Sequence, residues 1–168
     1  MVIGIGGISR SGKSLIAGKI QDILSGRKVQ IICQDKYIPK EENIPVIRDE
    51  IDWECPESLD FVRFREAILQ ASKNKDVVIA EGLMAFYDKS IENLYDFKIF
   101  VEITEKVFRE RKKTDLRWGA FPDWYTDHIW DSYLKYGKIE RGRADFLYLD
   151  GNTAPDEKLL QTFLLKNL

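Results

Sequence analysis

Residues 6–14 read GGISRSGKS, and the pattern G-x-x-x-x-G-K-[ST] runs through them from Gly7 to Ser14. The apolar run VIGIG (2–6) precedes it and reads as a short buried strand. Behind it, GKSLIAGKIQDILSG (12–26) has helical periodicity, with Leu15, Ile16, Ile20, Ile23 and Leu24 along one side and Gly26 as the expected C-cap. Strand, glycine-rich loop and helix in that order make a cradle for phosphate. Main-chain N–H groups of Gly7, Ile8, Ser9, Arg10, Ser11 and Gly12 converge on the anion. Lys13, Ser14 and Leu15 then open the helix, whose dipole also favours negative charge. Lys13 is expected to bridge the β- and γ-phosphates, and Ser14 to offer its hydroxyl to Mg²⁺. A dinucleotide fingerprint has no register here, because Gly4 and Gly6 are followed by Ser9. The ligand predicted is a nucleoside triphosphate.

The alternation continues along the chain. KVQIICQ (28–34), DVVIAEG (76–82), DFKIFVEI (96–103) and RADFLYLDG (143–151) read as four further strands. Helices are predicted over 56–75, from Thr104 as N-cap through the basic run TEKVFRERKK, over 123–138 and over 154–168. Nearly all-apolar strands alternating with helices predict a parallel sheet covered on both faces. Residues 35–56 show no clear period and carry Pro39, Pro45 and Pro56, so they read as a functional or disordered loop. No composition break divides the 168 residues, which are taken as one domain.

Composition narrows the class. Hydrophobic residues make up 44% and charged residues 32%, with a net charge of −2, which argues for a globular protein and against a nucleic-acid or membrane binder. No apolar run approaches the roughly 18 residues of a membrane span. The opening MVIGIGG has no basic region ahead of its apolar stretch, so no signal peptide is expected. Cys33 and Cys55 lie far apart without metal-ligand spacing and read as reduced thiols of a cytoplasmic protein.

Two function classes fit a triphosphate loop: a transferase to a small acceptor, or a nucleotide-dependent switch or motor. A guanine-reading N-K-x-D motif is out of register, since residues 74–77 are NKDV and run into a strand. A transferase needs a metal-directed acid, a cationic lid and an acceptor site. Glu81 ends the strand DVVIAEG and is expected to face the phosphate loop, because ligands sit beyond the carboxyl ends of parallel strands. The lid, approximately 106–128, carries Arg109 and Arg111, which cannot share one helical face, with Arg117 a third cation beyond the basic run. Asp35 in IICQDKYIP (31–39) emerges bare from a strand end, where either a turn or an acceptor hydroxyl would use it. His128 has no oriented partner in the sequence and reads as a structural or lid-packing histidine.

The motifs GISRSGKS, QDKY, DWECPESLD, EGLMAF, FRERKK, DHIWDSYLKY and YLDG occur in the order and spacing of the nicotinamide riboside kinases. More broadly, the chain resembles the uridine kinase and phosphoribulokinase group. The resemblance spans nearly the whole chain. It implies an α/β P-loop NTPase fold of the nucleoside monophosphate kinase type, with a five-stranded parallel sheet and a helical lid. It also implies transfer of the ATP γ-phosphate, with Mg²⁺, to the 5′-hydroxyl of a small ribonucleoside, nicotinamide riboside in the first place. A uridine or cytidine kinase is the alternative, and a nucleotide-binding paralogue or switch with little transferase activity is the non-enzymatic one. By this resemblance Asp35 is the general base and lies near the metal with Ser14 and Glu81. Lys13 and Arg111 serve catalysis, Arg111 from the substrate side. Trp53 and Glu54 match an aromatic–acid pair that stacks on the base and binds ribose hydroxyls. Tyr37 and Trp118 join the substrate site, and Arg109 and Thr153 the nucleotide site.

Departures from the family pattern are Glu54 for Asp, Glu110 for a lid arginine, Thr114 at the start of an expected Arg-x-Tyr, and Lys36 after Asp35. The chain is short for the added β-hairpin and long tail of uridine kinases, which favours nicotinamide riboside. The implied partner is the small-molecule nucleoside alone, with no nucleic acid and no membrane, for a monomer or small homo-oligomer.

Overall fold

The computed structural model describes residues 1–115 and 122–167. Five strands, β1 (Val2–Gly6), β2 (Val29–Cys33), β5 (Val77–Gly82), β6 (Phe97–Glu102) and β7 (Phe146–Asp150), form one parallel sheet in the order β2-β5-β1-β6-β7. All five lie within the stretches read from sequence. Strand alternation divides the core in two. Ile3, Ile5, Val77, Ile79, Ile99 and Val101 face one side. There they pack on α1 (Lys13–Ile23) and α6 (Glu157–Asn167) through Ile16, Ile20, Leu160 and Leu164. Val2, Val78, Ala80, Phe100 and Phe146 face the other. That side is covered by α2 (Phe61–Ser72), α3 (Lys89–Glu92), α4 (Glu105–Lys113) and α5 (Asp123–Ser132).

Helix ends follow local chemistry. The second helix starts at Phe61 rather than Pro56, because the Asp60 carboxylate caps it by accepting from the Arg63 N–H at 2.9 Å. Thr104 caps α4 as expected, its hydroxyl accepting from the Val107 N–H at 3.3 Å. Leu15 departs from the core stripe expected of α1 and is 54% exposed. The helix begins only two residues earlier, so Leu15 projects at the mouth of the loop instead of onto the sheet.

The segment 35–56 is ordered. It contains two single 3₁₀ turns and a hairpin of β3 (Val46–Ile47) and β4 (Glu50–Ile51). The hairpin turn places Arg48 (φ 48°) and Asp49 (φ 66°) in the left-handed region. Such turns match the twist of paired strands but usually carry Asn-Gly, which is why the sequence concealed this one. A hairpin is therefore present, and the lack of one no longer separates the two nucleoside readings. No helix among the described residues is long and apolar enough to cross a membrane.

Candidate active site

Strand register assembles the site. Gly6 pairs with Gly82 and Cys33 with Glu81, so three strands end side by side at their carboxyl edge. From those ends leave the phosphate loop, the 3₁₀ turn Gln34–Lys36 bearing Asp35, and Glu81 itself. Gly7 adopts φ 146°, and a Cβ there would lie 2.4 Å from the Val101 carbonyl oxygen, so only glycine lets the loop leave β1 this closely against β6. Gly151, just past β7, is constrained in the same way: its Cβ would stand 2.4 Å from the Ser11 carbonyl. The turn after the last strand thus braces the underside of the phosphate loop.

The cleft above these ends has a volume of about 660 Å³. At its phosphate end, Ser9, Arg10, Gly12, Lys13, Ser14 and Leu15 line the wall. Lys13 donates to the Ile8 carbonyl of its own loop at 3.0 Å. The Ile8 side chain is fully buried, so only its main chain faces ligand chemistry. The Ser14 hydroxyl donates to the Glu81 carboxylate at 2.8 Å, and Glu81 is 3% exposed. Burial, followed by the nearby negative charges of Asp35 and Glu81, pushes the Cys33 thiol up to about 12. A thiol so raised stays protonated, and the protonated thiol is not the nucleophilic form.

Ser14 and Glu81, hydrogen-bonded to each other, and Asp35 on the same cleft wall are hard oxygen groups of the kind Mg²⁺ takes. No cluster of three or more His, Cys, Asp or Glu able to hold a metal occurs among the described residues. One or two carboxylates completed by phosphate oxygens and water is the ordinary arrangement for that ion, and these residues fit it.

At its other end lie Asp35, Ile38, Trp53, Glu54, Leu83 and Tyr125. The loop 51–55 is fixed from two directions. The Ser58 hydroxyl, 2% exposed, is directed at the Trp53 and Cys55 carbonyls at 2.8 and 2.7 Å. The Tyr125 hydroxyl accepts from the Trp53 N–H and donates to the Ile51 carbonyl, each at 3.1 Å. One turn further along α5, His128 Nε2 lies 2.7 Å from an Asp52 carboxylate oxygen, which also accepts the Glu54 N–H at 3.0 Å. His128 therefore has an oriented carboxylate partner, Asp52, which the sequence did not reveal because the two lie 76 residues apart. Glu54 is partly buried; desolvation pushes its carboxyl up to about 7, opposed by the positive charge of Lys112 and assisted by Asp35.

The lid helix sorts its cations by face. Phe108 is fully buried and fixes the inward side of α4, so Arg111 and Lys112, three and four residues on, also point inward. Both line the cleft. The Arg111 guanidinium donates to the Arg10 carbonyl at 3.0 Å and the Gly151 carbonyl at 2.8 Å. It therefore ties the lid to the nucleotide side of the cleft, not to the acceptor side read from sequence. Arg109 does not reach the cleft: it binds Glu105 at 2.6 Å and Asp127 at 2.5 Å on the outer surface. Tyr37 is likewise outside, packed on the Phe64 ring with centroids 5.4 Å apart. Thr153 is exposed in the turn after β7 and does not line the cleft. Trp118 and Arg117 lie outside the described residues. Lys112 and Tyr125 were not singled out from sequence; the spacing from Phe108 was a signal for the first.

A five-stranded parallel sheet whose first strand runs through such a loop into a helix, under a helical lid, is the P-loop kinase fold. Comparisons with known proteins agree. Residues 57–114 match the Phosphoribulokinase / Uridine kinase family. Over 96% of its length the chain is 23% identical to nicotinamide riboside kinase 1 of Rattus norvegicus, covering 91% of that protein. It is 29% identical to the uridine kinase of Mycoplasma genitalium, over 80% of this chain and 72% of that one. Among solved structures, a gluconokinase from Sinorhizobium meliloti 1021 superposes with a TM-score of 0.60 at 20% identity, covering 99% of this chain and 90% of that one. The chain is thus similar to nucleoside kinases of the phosphoribulokinase and uridine kinase group, with nicotinamide riboside kinases among its relatives.

Proposed function

We propose that the protein transfers the γ-phosphate of ATP to the 5′-hydroxyl of a small ribonucleoside, with nicotinamide riboside the acceptor. The observation that carries this reading is a single cleft with the phosphate loop and the Ser14–Glu81 pair at one end and Asp35, Trp53 and Glu54 at the other. Lys13 and the loop amides hold the triphosphate, and Mg²⁺ bound through Ser14 and Glu81 supplies charge neutralisation on the phosphates. Asp35 is exposed at the cleft wall, where a carboxylate can accept the proton of an acceptor hydroxyl. Trp53 offers a flat apolar surface for a planar base, and Glu54 an acceptor for paired ribose hydroxyls. The Asp35 carboxylate at this end, joined by Glu54 once it ionises as pH passes about 7, favours a neutral or cationic nucleoside over an anionic acceptor. Nicotinamide riboside carries a positive base, and uridine and cytidine do not. That charge is what favours it between the two kinds of relative.

The test is ATP consumption in the presence of nicotinamide riboside, uridine, cytidine and acceptor-free buffer, beside Asp35→Asn. Stimulation by nicotinamide riboside is expected, with a loss of at least about 10²-fold in the Asn variant. ATP binding without stimulation by any acceptor would favour the non-catalytic nucleotide-binding reading.

A further inference from the structure

Arg10 sits inside the phosphate loop at φ 64°, a left-handed conformation that disfavours any residue carrying a Cβ. Its side chain is not idle. It lines the cleft beside Lys13, Arg111 and Lys112. Its Nε is buried with no hydrogen-bond partner, and stands 3.9 Å from the Asp115 carboxylate, beyond hydrogen-bond reach. Asp115 in turn has a side-chain exposure of 1% and lies 3.7 Å from Lys112 Nζ. Arg111 meanwhile grips the Arg10 carbonyl. The lid thus holds the Arg10 main chain through one cation and faces its guanidinium with an acid four residues further on.

A strained main chain and a buried, unsatisfied donor at one residue in a phosphate-binding loop call for an explanation beyond packing. Lys13 and Arg111 already have neutral carbonyl partners at hydrogen-bond distance. Arg10 has a loose ionic one, and a planar fork that would bind phosphate oxygens better than it binds Asp115 at this distance.

We propose that Arg10 is a catalytic residue of the phosphoryl transfer, its guanidinium leaving Asp115 to contact the terminal phosphate of bound triphosphate. Asp115 is the positioning residue that keeps it at the cleft. The inference rests on the reading of the loop as a triphosphate site.

The experiment compares affinities for ADP and for the non-hydrolysable imido analogue of ATP, by calorimetry with Mg²⁺, in the wild type, Arg10→Gly and Arg10→Lys. Glycine accepts the left-handed conformation without strain, so the fold is retained, which a thermal melt checks. The wild type is expected to prefer the triphosphate. Arg10→Gly is expected to lose at least about tenfold of that preference, the scale of one charge-assisted bidentate contact, and Arg10→Lys to keep part of it. In turnover with the best acceptor, kcat for Arg10→Gly is expected to fall at least about 10²-fold. An unchanged triphosphate-to-diphosphate ratio in Arg10→Gly overturns the proposal. If the wild type binds both nucleotides but phosphorylates no acceptor, the kinase reading fails while the ratio still decides the role of Arg10. If the wild type binds neither, both fall.

Discussion

Replacing Glu54 by Gln tests the acceptor pocket through its cost to the fold. Burial raises the Glu54 carboxyl from 4.5 to about 7, with Lys112 pulling the other way. Below pH 4.5 the group is neutral in both folded and unfolded chains and contributes no pH dependence. Between these two values the unfolded chain ionises first, so the native state binds more protons and its stability falls as pH rises. Above pH 7 the native carboxylate is ionised and the cost is complete. A shift of that size corresponds to at most about 3.5 kcal/mol at about 1.4 kcal/mol per unit. Glu54 is only partly buried, so water relaxes part of this, and about 1–3 kcal/mol is expected. Glu54→Gln, neutral throughout, should therefore match the wild type near pH 4.5 and exceed it at pH 8. At about 2–4 °C per kcal/mol, the melting temperatures should separate by several degrees. Thermal melts between pH 4.5 and 8.5 measure this directly. In the same variant the acceptor KM should lose the improvement that the wild type shows as pH rises through 7, since only the ionised carboxylate accepts from two hydroxyls. A Tm difference that does not change with pH would refute the reasoning.

If Ser14 and Glu81 hold the metal as proposed, Glu81→Gln should raise the Mg²⁺ concentration needed for half-maximal ATP turnover about 10–100-fold; an unchanged Mg²⁺ dependence would remove Glu81 from the site. Gly151→Ala drives a Cβ into the Ser11 carbonyl at 2.4 Å, so ATP affinity should fall about tenfold or more in a titration, and unaltered binding would show the brace to be dispensable. A double-mutant cycle of Asp52→Asn and His128→Gln at pH 6, read by denaturant unfolding, should give a coupling of about 1 kcal/mol, whereas additive effects would show that α5 does not depend on that pair.

The residues legible in advance were those whose chemistry is local. The phosphate loop is nine consecutive residues with a fixed spacing, and Trp53, Glu54 and Asp35 sit in short motifs that the structure brings to one cleft. The sheet was legible because strands buried on both faces are continuous apolar runs. What escaped depends on distance in space. Tyr125 reaches the 51–53 loop from 72 residues away, and nothing in DWYTDHIW announces it. The side of the cleft that Arg111 serves was misread because its partners are main-chain carbonyls, which have no sequence signature. Lys112 was recoverable: Phe108, the buried anchor of α4, sets the face, and the basic run disguised which cation shared it. The hairpin was hidden by Arg48 and Asp49, residues that seldom take the left-handed turn they occupy.

Phosphorus NMR of the reaction of ATP with nicotinamide riboside and Mg²⁺ tests the central claim most directly. The account requires ADP and a new phosphomonoester resonance split by the two protons of a 5′-methylene, absent with Asp35→Asn. Phosphate appearing only as the inorganic ion, or no ADP at all with this or any ribonucleoside offered, would contradict it.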